Sequence, residues 1–217
     1  MEVRKTFFKF QYSLSGGVYG LLSIAFGIAG DILAYILFPG REYDFTKRAV
    51  SSLCKGQGGA FFQIGTIISG IFAIPFVLYI INTFDKHYVS ENYRKGAFYS
   101  ALISCVSFIC LGIFCGANPI ISLIHGVSAV ISWISGLIYI TFLNISMLKD
   151  PKYSKILSRF GFFTSIMLSL LMIIFFLAFL PSLDVLILIL PTLEWLNTIS
   201  LIIWYFIFST YIIMKKI

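Results

Sequence analysis

The sequence predicts an all-α integral membrane protein: a single domain over 1–217 built as a bundle of six transmembrane helices, with both termini in the cytoplasm. Three observations predict it. The first is composition, 59% hydrophobic and 18% aromatic against 12% charged, with a mean hydropathy of +0.96, well outside the range of soluble domains. The second is that six windows, at about 16–38, 60–84, 97–116, 120–148, 162–181 and 192–214, each supply the roughly 20 apolar residues that cross ~30 Å of hydrocarbon. The third is charge placement. Arg4, Lys5, Lys9, Lys86, Arg94, Lys95, Lys149, Lys152, Lys155, Arg159, Lys215 and Lys216 fall on one side, and only Arg41, Lys47, Arg48 and Lys55 on the other. That excess puts the first side in the cytoplasm.

The elements follow in order. MEVRKTFFKFQYSLSGG places basic residues ahead of an apolar run; the run continues through a full span without an A-x-A-like cleavage site, so it reads as a retained first helix. On that helix Gly20, Ser23, Gly27, Asp31 and Ala34 share one stripe, with Gly30 beside it. The loop 39–59 follows, the only sizeable extracytoplasmic segment. Helix two carries Gly65, Ser69 and Ala73 on one face and Pro75 inside the span. Helix three holds Cys105 and Cys110, which read as small packing residues. Asn118 and Pro119 make the tight turn into helix four, where Ser122, His125, Ala129, Ser132 and Gly136 align. Between helices five and six, the segment 182–191 is nearly all apolar, ends at Pro191 and is too short to span. It should lie in the interface or dip back as a lid. Helix six then puts Glu194, Asn197, Thr198 and Leu201 on one side.

Depth can be read from the 1.5 Å rise per residue, which sets Asp31 roughly 10 Å and His125 roughly 7 Å inside the outer boundary. Glu194 and Asn118 fall in the same outer layer. An ionisable group inside a membrane is costly and usually faces the bundle interior or water, so Asp31, His125 and Glu194 are candidate functional residues. The small-residue stripes let the helices carrying them approach closely, which brings the three toward one another.

The outer loop combines Arg41, Lys47 and Arg48 with Tyr43, Asp44, Ser51 and Ser52. Such a set suits a phosphate or another anionic headgroup; a solvated connector is the alternative. Cys54 in this loop and Cys115 at the outer end of helix three are a candidate disulfide in an oxidising exterior. The two histidines, His87 and His125, fall on opposite sides of the membrane, which excludes bis-histidine haem and a three-histidine zinc site in one chain. No metal site has diagnostic spacing, and no P-loop, dinucleotide fingerprint, G-x-S-x-G or H-E-x-x-H occurs, so no cofactor is expected. The net charge of +7 is mostly the positive-inside signature, to which attraction to anionic headgroups adds; it calls for membrane lipids as partners and no nucleic acid.

The run FPG at Phe38 after Asp31, AVSSL at Ala49, FFQIGTIISGI at Phe61, GANPIISLIHGVSA at Gly116 and LEW at Leu193 resembles the uncharacterised archaeal and bacterial membrane family called domain of unknown function 998. That family is similar in outline to the Frag/DRAM-type six-helix membrane proteins. The resemblance implies a six-helix fold without an assigned activity, and it implies that Asp31, Ser51, Gly65, Gly70, Asn118, His125, Glu194 and Trp195 belong to one site. Abundant Ile, Phe, Tyr and Lys with little Gln fit an archaeal source. Three functional classes are expected to compete. One is a protein of the cell membrane that binds a lipid or small amphiphile in an outer-leaflet pocket, or serves as an accessory subunit to other membrane proteins. Another is an intramembrane enzyme on a lipid headgroup or polyisoprenoid, with His125 as base, Asp31 orienting it, Glu194 beside them and Arg41 or Arg48 on a phosphate. The third is a proton-coupled transporter, against which stands the lack of ionisable groups in the inner half of every helix.

Overall fold

A computed structural model describes residues 15–38, 43–116 and 118–217. Six helices carry the fold: α1 Gly16–Ile36, α2 Gly59–Thr83, α3 Glu91–Ile113, α4 Pro119–Lys149, α5 Lys155–Leu177 and α6 Leu190–Lys215. Each is long and apolar enough to cross a membrane, as a multi-pass membrane protein requires. Among the described residues, two short 3-10 turns, Val50–Lys55 and Asp184–Leu188, complete the regular structure and no strand occurs. Arg4, Lys5, Lys9 and Arg41 lie outside the described residues.

The helix ends differ from the apolar windows in one consistent way. α3 starts at Glu91 and α5 at Lys155, each about two turns before its window. Hydropathy marks where the chain meets lipid, whereas a helix continues for as long as its backbone is paired or capped. The first turn of α3 is polar, with Arg94 Nη1 3.3 Å from Glu91 Oε2, and α5 is capped by Ser154 Oγ accepting from Ile156 N at 3.3 Å. α2 runs through Pro75 without interruption.

Each helix packs on its neighbours in sequence, and α6 returns to α1, so the six form a closed ring. Small residues set the seams. Where α1 crosses α2, a Cβ on Gly30 would stand 2.9 Å from the Gly65 Cα, and one on Gly65 would stand 2.8 Å from the Gly30 Cα; only glycine permits that approach. Two turns away, Ser23 Oγ donates to the Ser69 carbonyl at 3.0 Å. Gly17 and Gly20 seat α1 on Ser209 of α6 and so close the ring. α3 and α4 are joined reciprocally, Ser104 Oγ to Ser132 O at 3.1 Å and Ser132 Oγ to Ser104 O at 3.3 Å. Ser158 Oγ of α5 donates to Asn144 O of α4 at 2.7 Å.

The ring is unevenly filled. Toward the end that carries the C-terminus, Phe76, Val77, Ile80, Ile140, Leu143, Met147, Trp204, Phe208 and Ile212 form a fully buried core. Asp150 ties the connections there together by accepting from Asp85 N at 2.9 Å and Lys152 N at 3.0 Å. At the opposite end the segment 43–55 folds over the ring. Its buried Leu53, Cys54 and Tyr43 pack with Ala34, Phe62 and Leu111 into a second, smaller core.

Replacing Gly65 by Leu is expected to lower stability in detergent by about 1–3 kcal/mol through overpacking of the α1–α2 seam. Gly126→Ala, at a position where a Cβ meets nothing within 4 Å, should leave the thermal midpoint unchanged or slightly raised. Equal behaviour of the two variants would refute the seam as the source of ring stability.

Candidate functional site

Between the two cores lies a cavity of about 370 Å³ to which all six helices and the turn Val50–Lys55 contribute. Helical periodicity explains its lining. On α1 the residues Ser23, Ile24, Gly27, Ile28 and Asp31 recur at three- and four-residue steps and share one face. His125, Ala129, Ser132, Gly136 and Tyr139 do the same on α4, and Glu194, Asn197, Thr198, Leu201 and Tyr205 on α6. Gly27, Ala129, Ser132, Gly136 and Ser23 among them are small, and the space they leave contributes to the cavity.

Asp31, Ser51, His125 and Glu194 therefore meet in one chamber, at the end covered by the loop. Glu194 Oε1 accepts from the backbone N of Ser51 at 3.1 Å, which fastens the 3-10 turn to α6. His125 Nδ1 lies 3.0 Å from the Leu111 carbonyl. A carbonyl only accepts, so Nδ1 carries the proton, and Nε2 is the ring's remaining nitrogen. The orienting partner of His125 is thus a carbonyl in the last turn of α3, not Asp31. Asp31 has no hydrogen-bond or ion-pair partner among the described residues. No three His, Cys, Asp or Glu side chains among the described residues are grouped closely enough to hold a metal ion.

The remaining sequence candidates sit elsewhere. Asn118 is the N-cap of α4, its Oδ1 accepting from Ile120 N at 2.9 Å ahead of Pro119. Trp195 turns away from the cavity, packs its ring on Tyr43 and Phe45 and donates Nε1 to the Arg48 carbonyl at 3.0 Å. The Arg48 guanidinium lies 5.2 Å over the Phe38 ring, and Lys47 pairs with exposed Asp44 at 3.3 Å. Neither basic side chain lines the cavity, so the expected anion-binding arrangement of the loop does not form between them and the carboxyl groups. Tyr43 donates to the Ala49 carbonyl, and burial pushes its phenol above the ordinary range. Gly65 belongs to the α1–α2 seam, and Gly70 lies against Ile109 of α3. The segment 182–190 lines no part of the cavity, and its turn Asp184–Leu188 packs chiefly on α5 and α6; it does not cover the polar groups of the chamber.

Two features of the chamber go beyond the sequence reading. Asn197, 3% exposed, presents an Oδ1 without a hydrogen-bond partner. Its place three residues after Glu194 was the available signal. The hydroxyls of Tyr139 and Tyr205, 3.3 Å apart, form the floor, a pairing between distant helices that no local pattern carries. The candidate disulfide ties the cover covalently: Cys54 and Cys115 are joined, with Cα atoms 5.8 Å apart, and Gln63 Nε2 donates to the Cys115 carbonyl at 2.8 Å. Cys105 and Cys110 are free. No protein-family model matches the chain, and no curated protein or solved structure is significantly similar to it.

Peptide mapping under non-reducing conditions is expected to recover Cys54 linked to Cys115 and alkylatable Cys105 and Cys110. Reduction, or Cys54→Ser, should cost about 2–4 kcal/mol of stability. Free thiols at all four positions in protein from an oxidising compartment would contradict the pairing.

Proposed function

We propose that this protein binds a small amphiphile, a lipid or lipid-like molecule, within its helix ring. The observation that carries the reading is the lining of the cavity, which sets a few polar groups into an apolar wall. Asp31, Ser51, His125 and Glu194 lie under the loop, and Ile24, Ile28, Phe108, Leu168, Phe175 and Leu201 provide apolar wall. Along α6 the lining runs from Glu194 to Tyr205, roughly 16 Å at the helical rise. A concave, largely apolar chamber with a few convergent polar groups is the usual form of a small-molecule site. At about 30 Å³ per water-sized unit, 370 Å³ accommodates about a dozen non-hydrogen atoms. With both termini cytoplasmic, as the Lys and Arg asymmetry favours, the polar end of the chamber belongs to the outer leaflet and the disulfide to an oxidising exterior. Membership in the domain of unknown function 998 group is part of the same proposal and adds no activity to it.

Catalysis and transport receive less support. His125 spends Nδ1 on Leu111 O, Ser51 is tied to Glu194 through its backbone N, Ser52 donates to Ala49 O at 2.7 Å, and Ser122 is exposed and outside the cavity lining, so no hydrogen bond among the described residues pairs a hydroxyl with an imidazole base. Below the Tyr139–Tyr205 floor, Phe76, Trp204 and Phe208 fill the ring, an apolar plug at the level where a proton relay would have to continue.

The test is native mass spectrometry of protein released from lipid discs, comparing wild type with Gly27→Leu. Gly27 lines the cavity, and a Cβ there makes only an ordinary 3.4 Å contact with Ser69 Oγ, so the leucine side chain extends into the chamber. Wild type is expected to retain a lipid-like adduct that Gly27→Leu loses without loss of helicity. Equal retention by both proteins would sink the proposal.

A further inference from the structure

The lining of the chamber is one-sided in charge: it holds the carboxyl groups of Asp31 and Glu194 and no cationic side chain among the described residues. Its hydroxyl, backbone and imidazole donors are largely spent inside the protein. Ser23 donates to Ser69 O, Ser104 to Ser132 O, Ser132 to Ser104 O, Thr198 Oγ1 to Glu194 O at 2.9 Å, Ser51 N to Glu194 and His125 Nδ1 to Leu111 O. What remains on the acceptor side is both oxygens of Asp31, the orphan Oδ1 of Asn197 and Nε2 of His125; the remaining donors, the Asn197 amide N–H₂, one proton of the Tyr139–Tyr205 hydroxyl pair and the Thr66 hydroxyl, are all uncharged. No lysine or arginine among the described residues lines the cavity. An anionic head such as a phosphate or carboxylate brings negative charge to carboxyl groups, with no cation in the lining to offset it.

We propose that the ligand of this cavity is an amphiphile with a primary ammonium head. Resting on the amphiphile-binding reading above, this names the chemistry at its polar end. An –NH₃⁺ group offers three donors and no acceptor. It meets Asp31 as counter-charge and reaches the unpartnered carbonyl of Asn197, and a charge-assisted bond to a desolvated carboxylate is the strongest polar contact such a chamber offers. Phe62, Phe108 and Trp133 add aromatic faces to the wall, which attract a cation and repel an anion. The acceptors ask for N–H donors, so a primary amine fits where a quaternary ammonium does not. The apolar wall takes the alkyl chain, and the volume limits that chain to about ten carbons inside the protein.

The deciding experiment measures binding of radiolabelled n-decylamine at neutral pH to full-length protein in lipid discs, with empty discs subtracted. n-Decanol, n-decyl phosphate and n-decyltrimethylammonium serve as competitors. Decylamine is expected to bind about tenfold or more tighter than each competitor, the worth of one charge-assisted hydrogen bond. Asp31→Asn should remove that advantage and leave decanol binding within about threefold. Asn197→Leu, which keeps the volume and removes the acceptor, should weaken decylamine in the same direction and keeps the test open if Asp31→Asn does not fold. Gly27→Leu should block every probe. Decanol or decyl phosphate binding as tightly as decylamine, or decylamine indifferent to both substitutions while Gly27→Leu still blocks it, overturns the ammonium assignment and leaves the amphiphile site standing. Absence of any binding that Gly27→Leu abolishes overturns both.

Discussion

Helices in a bilayer gain no hydrophobic energy by meeting, because lipid tails are as apolar as their own side chains, so this bundle depends on how closely its backbones approach. The contact of Gly30 with Gly65 expresses that constraint with glycine on both sides of the seam. It sets α1 against α2, and with Gly17 and Gly20 on Ser209 at the next seam it draws six helices into a ring. A ring of six has a centre that side chains must fill. Phe76, Trp204 and Phe208 fill it at one end; Gly27, Ala73, Ala129 and Gly136 leave it open at the other. The same preference for small residues that holds the seams together therefore also makes the chamber.

The cover of that chamber and its polar contents are built from one set of contacts. The turn Val50–Lys55 is held by the Cys54–Cys115 link to the end of α3, by Glu194 through Ser51 N, and by Trp195 through the Arg48 carbonyl. Glu194 is at once a lining carboxyl group and a clasp. His125 takes its orientation from Leu111, one turn before the disulfide-linked Cys115. A change in the cover thus reaches both the carboxylate and the imidazole, and a ligand that engages Asp31 or Asn197 does so beneath a roof fixed by covalent chemistry.

Much of this was legible in the sequence, for reasons that separate cleanly. Six spans are visible because the bilayer dictates their length. Asp31, His125 and Glu194 could be placed in one layer because the 3.6-residue period and the rise per residue are nearly invariant. Long-range pairings were not legible. Arg48 and Trp195 look like ligand-binding residues in a list of charged and aromatic side chains, yet a cation over Phe38 and an indole N–H on a loop carbonyl are tertiary facts. Asn118 reads equally as a polar layer member and as an N-cap, and backbone pairing decided for the cap. Asn197 was visible on the stripe of Glu194, but its lack of a partner depends on five other helices.

The most direct measurement is a high-resolution map of the protein in native lipid discs, read at the centre of the ring. Elongated density between the Tyr139–Tyr205 floor and the loop cover, with its polar end against Asp31 and Asn197, is the expected result. A ring collapsed onto itself at that level, with α1 and α4 in contact and no space between Gly27 and Ala129, would contradict the binding chamber on which the functional reading rests.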